Sequence, residues 1–299
     1  MRWTTRFLRG GVWVTPAEVY PDMTSRADLH IHSTASDGAL TPTQLAAAAA
    51  ELHLAAIALT DHDTVDGINE AVAAAKGTGV EVVPAVEIST VHETGAEVHV
   101  LGYFLNHSHQ ELTECLGVLA SARYERGRKM VELLNQVGVQ VSFERVVEIA
   151  GGGAIGRPHV ARAIQEVGAA SSMNSAFGKF LQEGGPGFVP RYKISPSRAV
   201  TLIRNAGGVA CCAHVAKLKH DEILVELISQ GLQGIEAYHP DHTRAGARFY
   251  ERFARKHNLI ATGGSDAHCI GGDKPGVGGV TVPYDVVDEL RSASGSCHS

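Results

Sequence analysis

Hydrophobic positions along the chain change period in a regular way, and polar residues gather where the apolar runs stop. Ala27 to Ile31 alternates and reads as a first short strand. Thr41-Pro42-Thr43-Gln44 then offers a capping threonine, a proline in the first turn and a glutamine three residues on, so a helix starts there and runs to about His53. Ala55 to Leu59 is a buried strand by its length and flanks and delivers Thr60-Asp61-His62-Asp63. A helix near Val65 to Lys76 follows, with Val65, Ile68, Val72 and Ala75 on one face, and Gly77 and Gly79 stop it. Val80 to Val86 is a third strand ending at Glu87. Only about ten residues lead from there to the next run, Glu97 to Phe104, too few for a crossover helix, so these two strands pair antiparallel. That arrangement puts His99 at the same end of the sheet as Glu87.

From 106 to 190 the pattern turns to helices with no intervening strand, which predicts an inserted subdomain. Leu112, Leu116, Leu119, Met130, Leu134 and Val137 form one stripe, and Arg123 falls in its middle. A guanidinium there needs a partner, Glu148 or Glu166 if the pair is structural. Gly151-Gly152-Gly153 is a loop, Arg157-Pro158-His159 opens another helix, and Gly184 to Gly187 ends the insert. Ser195-Pro196 caps a helix to Ala206, and the strand Val209 to Ala213 ends at His214. A helix near 221–229 precedes the strand Gly234 to Tyr238, which ends at His239. Another near 243–257 precedes Leu259 to Thr262, which ends at Gly264-Ser265-Asp266-Ala267-His268. The predicted division is an N-terminal extension (1–26), a discontinuous barrel (27–105 and 191–285), the helical insertion (106–190) and a tail (286–299) that is small, polar and frayed after Leu290.

The polar clusters that end these strands share one rim, as the active site of a β/α barrel does. Asp28-Leu29-His30-Ile31-His32 is the most specific of them. Alternation puts His30 and His32 on one face, so two imidazoles can grip one ion while Ile31 packs, and Asp37-Gly38 adds a turn with a carboxylate.

Composition narrows the reading further. The chain has 299 residues and 44% apolar content, ample for a core, and its net charge of −6 with a pI near 6.2 argues against a broad nucleic-acid-binding surface. No stretch is apolar enough for a signal peptide or a membrane span, and Met23 is a candidate alternative start. Five cysteines, with Cys211 and Cys212 adjacent, predict reduced thiols and a cytoplasmic protein.

The candidate ligands are His30, His32, Asp37, His62, Glu87, His99, His214, Asp266 and His268. Nine are too many for one ion and suit two or three. Imidazole with carboxylate suits zinc, manganese or iron, and the lack of a Cys-x-x-Cys pair argues against a thiolate zinc site. His53, His92, His107, His109, His220, His257 and His298 read as ordinary surface or core residues, and Cys269 as a structural thiol.

These motifs, together with Ser36-Asp37-Gly38, Val86-Glu87-Ile88-Ser89 and Ala213-His214, resemble those of the PHP family, named for polymerase and histidinol phosphatase domains. The likeness covers about 27–284 and is nearest the branch with a helical insert and an Arg-Pro-His element. It implies a distorted (β/α)7 barrel and a trinuclear site. In that pattern His30, His32, Glu87 and Asp266 hold a first ion, Glu87, His99 and His214 a second, and Asp37, His62 and His268 a third. Val215 departs from the proline usual after the histidine.

The expected activity is hydrolysis of a small phosphorylated nucleotide or sugar, preferably a nucleoside 3′,5′-bisphosphate. Paired ions would activate water and clamp the phosphoryl oxygens. His239 is the first candidate for the acid that protonates the leaving oxygen and His242 the second. Arg123, Arg157 and Arg191 are candidate clamps for a second phosphate, and His159 either caps its helix or touches substrate. The alternatives are a phosphodiesterase acting on short 5′-phosphorylated RNA or a cyclic ribose phosphate, a histidinol phosphatase, and a metal-binding module without turnover.

Overall fold

The structure, a computed structural model, describes residues 25–192, 194–218, 221–268 and 275–295. Most of the N-terminal extension, Met23 and Cys269 lie outside the described residues.

The strand β1 (Arg26–Ile31) is buried on both faces, and its parallel neighbours β2 (Ala56–Leu59) and β3 (Glu81–Val91) continue the sheet on one side. Next come β4 (Glu97–Tyr103), β5 (Val209–Cys212), β6 (Gly234–Tyr238) and β7 (Ile260–Gly263); the short β8 (Val282–Pro283) pairs antiparallel with β1. The sheet order is β7-β6-β5-β4-β3-β2-β1-β8. An Ile31 to Ala267 bridge, with His32 N–H donating to Ala267 O at 3.1 Å and Asp266 N–H to His30 O at 2.8 Å, brings the chain after β7 back against β1. This is the distorted barrel expected from the strand count. The expected antiparallel hairpin is also present, with Ser89 opposite His99 and Glu87 opposite Leu101. However, β3 runs on past Glu87 to Val91, because pairing with β4 keeps satisfying its backbone beyond the rim. Glu87 therefore sits inside a strand, on a stiffer support than a loop would give.

Helices pack outside the sheet. In α1 (Pro42–Glu51), Thr41 and Gln44 form the reciprocal cap that their spacing predicts. The others flanking the barrel are α2 (Ile68–Ala75), α7 (Pro196–Asn205), α8 (Asp221–Ser229) and α9 (Arg244–Lys256). Val72, expected on the buried face of α2, is instead 38% exposed. The helical insertion consists of α3 (Gln110–Gln136), α4 (Phe143–Ala150), α5 (Arg157–Glu166), α6 (Met173–Ala176) and a π-helical turn at Phe177–Leu181. It has its own apolar cluster around Met130, Leu134, Val146, Val160 and Ile164, separate from the barrel core. The stripe of α3 ends at Leu134, since Val137 is exposed.

The tail differs from expectation. Residues Asp285–Ala293 form α10, with Val287 and Leu290 fully buried, and Arg291 pairs with Glu81 at 2.7 Å. Two apolar residues three positions apart suffice to dock a helix here, a signal too short to stand out among polar neighbours.

Closure depends on a glycine. A Cβ at Gly264 would lie 2.3 Å from the backbone nitrogen of His30. Gly264→Ala should destabilise the metal-free protein by roughly 1–3 kcal/mol in urea unfolding, because backbone rather than a mobile side chain must yield. A loss below about 0.5 kcal/mol would show that the closure is pliable.

Candidate active site

Alternation along β1 sends His30 and His32 inward, β3 and β4 deliver Glu87 and His99, and His62, His214 and Asp266 follow β2, β5 and β7. The backbone at three of the surrounding positions is held left-handed: Asp63 (φ 56°), His214 (φ 31°) and Asp266 (φ 49°). Non-glycine residues adopt this conformation only where the surroundings impose it.

Glu87, buried to 1% exposure, is the hub. Its Oε2 lies 3.3 Å from His30 Nε2, 3.2 Å from His32 Nε2 and 3.0 Å from His62 Nδ1. Its Oε1 lies 2.7 Å from His99 Nδ1 and 3.1 Å from His214 Nε2. Asp266 Oδ1 stands 3.4 Å from both His32 Nε2 and His268 Nδ1, and Asp37 Oδ1 is 3.3 Å from His268 Nε2. All nine residues expected as ligands thus come together at the rim. Among the described residues, three overlapping groups have donor atoms close enough to share an ion: His30, His32 and Glu87; His62, Glu87 and His99; His32, Asp37, His62 and His268.

The donor set fits divalent ions. Both ring nitrogens of His32, Asp37 Oδ1 and His62 Nδ1 are buried and make no hydrogen bond, a costly condition unless a ligand completes them. Charge states agree. Burial would favour neutral Glu87 and Asp37, but the surrounding imidazoles outweigh it and hold both carboxyls well below their usual range. Burial keeps His62 well below the usual imidazole value and lowers His214 to about 4, leaving both with lone pairs to donate. For His32, burial works against the proton, yet the nearby carboxylates of Asp266 and Glu87, at 3.4 and 3.2 Å, prevail and raise its pKa to about 10.

A further layer orients these ligands, and the sequence reading missed most of it. Glu236, fully buried in β6, takes His30 Nδ1 at 2.8 Å and accepts from His214 N–H at 2.6 Å. It thereby turns His30 Nε2 toward Glu87 and holds His214 in its strained backbone. Burial raises its carboxyl, but His30 and His239 pull it down to about 2. The available signal was a lone charge inside the apolar run Gly234-Ile235-Glu236-Ala237-Tyr238. Asp61 accepts from Ser33 N–H, Ser33 Oγ and Ser36 Oγ at 2.6–2.7 Å, which shapes the turn carrying Asp37. Val215, in place of proline, begins a short 3₁₀ turn that carries Lys217 to the rim, where its Nζ meets Asp241 at 2.8 Å.

His239 lies beside the cluster, its Nε2 3.2 Å from Asp266 Oδ2, while its Nδ1 accepts from Asp241 N–H at 3.0 Å. His242 differs: Nδ1 bonds Ala237 O at 2.9 Å and Nε2 accepts from Ala216 N–H at 3.2 Å, so both of its nitrogens brace backbone. His159 is a cap, its Nδ1 accepting from Gly156 N–H at 3.0 Å. Arg123 does not meet Glu148 or Glu166, which pair with Arg145. Its Nε donates to Asp63 at 2.5 Å and its Nη2 to Ser89 Oγ at 2.8 Å, partners that follow β2 and sit in β3. Arg157 and Arg191 approach Glu97 at 3.7 and 3.3 Å. Arg126, also missed, is buried beside them. A cleft of about 510 Å³ joins His62, Glu87, His99, His214, Asp266 and His268 to Arg157, Arg191 and Lys217.

The PHP domain family matches residues 28–187, and the chain belongs to it. It is 35% identical to a 3′,5′-nucleoside bisphosphate phosphatase of Chromobacterium violaceum over 86% of this chain and 90% of that one. It is 33% identical to the 5′-3′ exoribonuclease Rnm of Salmonella typhimurium over 81% of this chain and 84% of that one. A solved chain from Bifidobacterium adolescentis, provisionally named a metal-dependent phosphoesterase, superposes with a TM-score of 0.84 at 29% identity, covering 91% of this chain and 97% of that one. Family and cluster together make this protein a metal-dependent phosphoester hydrolase, with a candidate site for divalent ions among its His, Asp and Glu residues. Among the described residues no helix is long and apolar enough to cross a membrane.

Loading should displace protons. With its pKa raised from 6.5 to about 10, His32 is protonated at neutral pH in the metal-free protein. That proton stabilises the metal-free fold fully below pH 6.5, and its contribution is lost as pH rises through about 10. Manganese added to metal-free protein at pH 7 in weak buffer should therefore release protons, and affinity should rise between pH 6 and 8. Uptake without proton release would contradict this charge assignment. Glu236→Ala should weaken metal affinity about 10- to 100-fold in chelator competition while the circular dichroism spectrum is kept. Unchanged affinity would remove Glu236 from the site.

Proposed function

We propose that the enzyme removes phosphate from a nucleoside 3′,5′-bisphosphate, with the imidazole–carboxylate cluster acting on one phosphate and the neighbouring arginines holding the other. The observation that carries this is the placement of Arg157 and Arg191 in the same cleft as Glu87 and His99. A monophosphate would leave that second charged patch unused. The chain's negative net charge adds that the attraction is local, which favours a small substrate over long RNA.

In this reading the nine rim residues hold two or three ions of manganese, iron or zinc, with Glu87 shared between neighbouring positions. When bound, such ions make a water acidic enough to attack at neutral pH and offset charge on the phosphoryl oxygens. The chain's own groups do the remaining work. Because Asp241 N–H donates to Nδ1 of His239, the neutral ring carries its proton on Nε2, directed at Asp266 Oδ2 beside the cluster. From there it can pass to the leaving oxygen. Arg123 keeps Asp63 and Ser89 in place and has only Nη1 left for a phosphoryl oxygen, so its share in the clamp is narrower than that of Arg157 and Arg191. His159 acts by holding the start of α5, and with it Arg157. The free thiols of Cys115, Cys211 and Cys212 are consistent with a reducing, cytoplasmic setting.

A second reading, hydrolysis of short 5′-phosphorylated RNA, is favoured by the likeness to the exoribonuclease and by Tyr192, 58% exposed next to Arg191, where a base could stack.

Phosphate release from adenosine 3′,5′-bisphosphate, adenosine monophosphates, histidinol phosphate, a cyclic ribose phosphate and a 5′-phosphorylated trinucleotide separates these readings. Manganese-loaded enzyme should turn over the bisphosphate fastest and the monophosphates poorly. Turnover of the trinucleotide or cyclic ester alone would replace the first reading with a diesterase. Asp37→Ala should lower bisphosphate turnover by about a hundredfold or more with the fold intact. Full activity in that variant would sink the three-ion arrangement.

A further inference from the structure

The arginines of the cleft carry more positive charge than their partners in the chain balance. Arg126 is 9% exposed, donates through Nε to Val189 O at 2.7 Å, and its buried Nη2 has no partner. Arg191 Nε is likewise buried without a hydrogen bond, although Glu97 stands 3.3 Å away in poor alignment. Arg157 reaches the other oxygen of Glu97 only at 3.7 Å. Glu97 itself is 45% exposed, at the first position of β4 next to the hairpin turn, where its side chain can swing into solvent without disturbing the sheet. Desolvation and then repulsion from Arg191, Arg157 and Arg123 lower the pKa of Arg126 to about 9. A guanidinium under that strain lacks an anion.

We infer that Glu97 is an internal stand-in for the substrate's second phosphate: it loosely neutralises Arg157 and Arg191 in the free enzyme and is displaced when an anionic group enters against Arg157 and Arg191, with Arg126, its Nη2 unpartnered, beside Arg191 and adding to the positive field. This deepens the two-phosphate reading and rests on it. The exchange is chemically directed. A carboxylate bearing one charge and standing at 3.3 and 3.7 Å gives way to a phosphate with more charge and three acceptor oxygens, able to take the unpartnered Nε–H of Arg191 as well. Substrates without that group must leave Glu97 in place. The contact therefore works as a gate that favours doubly phosphorylated substrates and keeps cellular anions of lower charge from filling the pocket.

The sign of one substitution decides the matter. If Glu97 competes with phosphate, Glu97→Gln removes the competitor and should lower KM for adenosine 3′,5′-bisphosphate by about three- to tenfold, and strengthen inhibition by inorganic pyrophosphate in parallel. The KM values for adenosine 3′- and 5′-monophosphate should move less, so discrimination by the second phosphate shifts. Arg191→Ala should raise the bisphosphate KM at unchanged metal content. A rise in KM in both variants would overturn the gate, making Glu97 a strut for the arginines, yet leave the two-phosphate reading standing. If neither variant changes the bisphosphate-to-monophosphate ratio, the gate and the second-phosphate reading fail together.

Discussion

One buried carboxylate organises the rim. Five imidazoles converge on Glu87, from β1, from the segments after β2 and β5, and from β4, at 2.7 to 3.3 Å. A carboxylate stripped of water is expensive unless its charge is matched, so histidines at these positions are a condition of the fold as much as of the chemistry. The long strand β3 supplies the stiffness. Because Glu87 sits among paired residues, its position is fixed by ladder hydrogen bonds to β4 rather than by a loop.

Around that hub the protein spends stability on shape. Left-handed backbone at Asp63, His214 and Asp266 is tolerated because each residue is tied: Asp63 by Arg123, His214 by Glu236, Asp266 by the bond of its N–H to His30 O. The insertion takes part directly. Arg157 from α5 lines the cleft, and Arg123 and Arg126 from α3 line the small pocket that adjoins it at Arg191, so helices outside the barrel shape the charge of what enters it. An acidic chain can in this way present a locally basic pocket next to its metal ligands.

Much of this was legible in the sequence, for physical reasons that differ by element. The period of two around His30 and His32, the capping residues Thr41 and Gln44, and the short link between β3 and β4 are local constraints, and local constraints can be read from neighbours along the chain. The convergence of the candidate ligands was legible because most of them follow or end an apolar run. Partner choice was not. Nothing in the spacing on α3 says that Arg123 meets Asp63 rather than Glu148, because that depends on how the insertion docks. Glu236 was overlooked for a related reason: a charge inside an apolar pattern signals only that a partner exists, and distant strands supply it, whereas Arg126 was hidden among the charged residues Glu125, Arg128 and Lys129. The docking of α10 on two residues, Val287 and Leu290, fell below what periodicity can detect.

The central claim is that Glu87 links neighbouring metal positions, and the direct measurement is metal content per chain by elemental analysis of the wild type and Glu87→Gln after equal manganese loading. The account predicts two or more ions in the wild type and a loss of at least one in the variant, with the helical circular dichroism signal retained. An unchanged metal content in folded Glu87→Gln would contradict it, and the organising role would then have to pass to another residue.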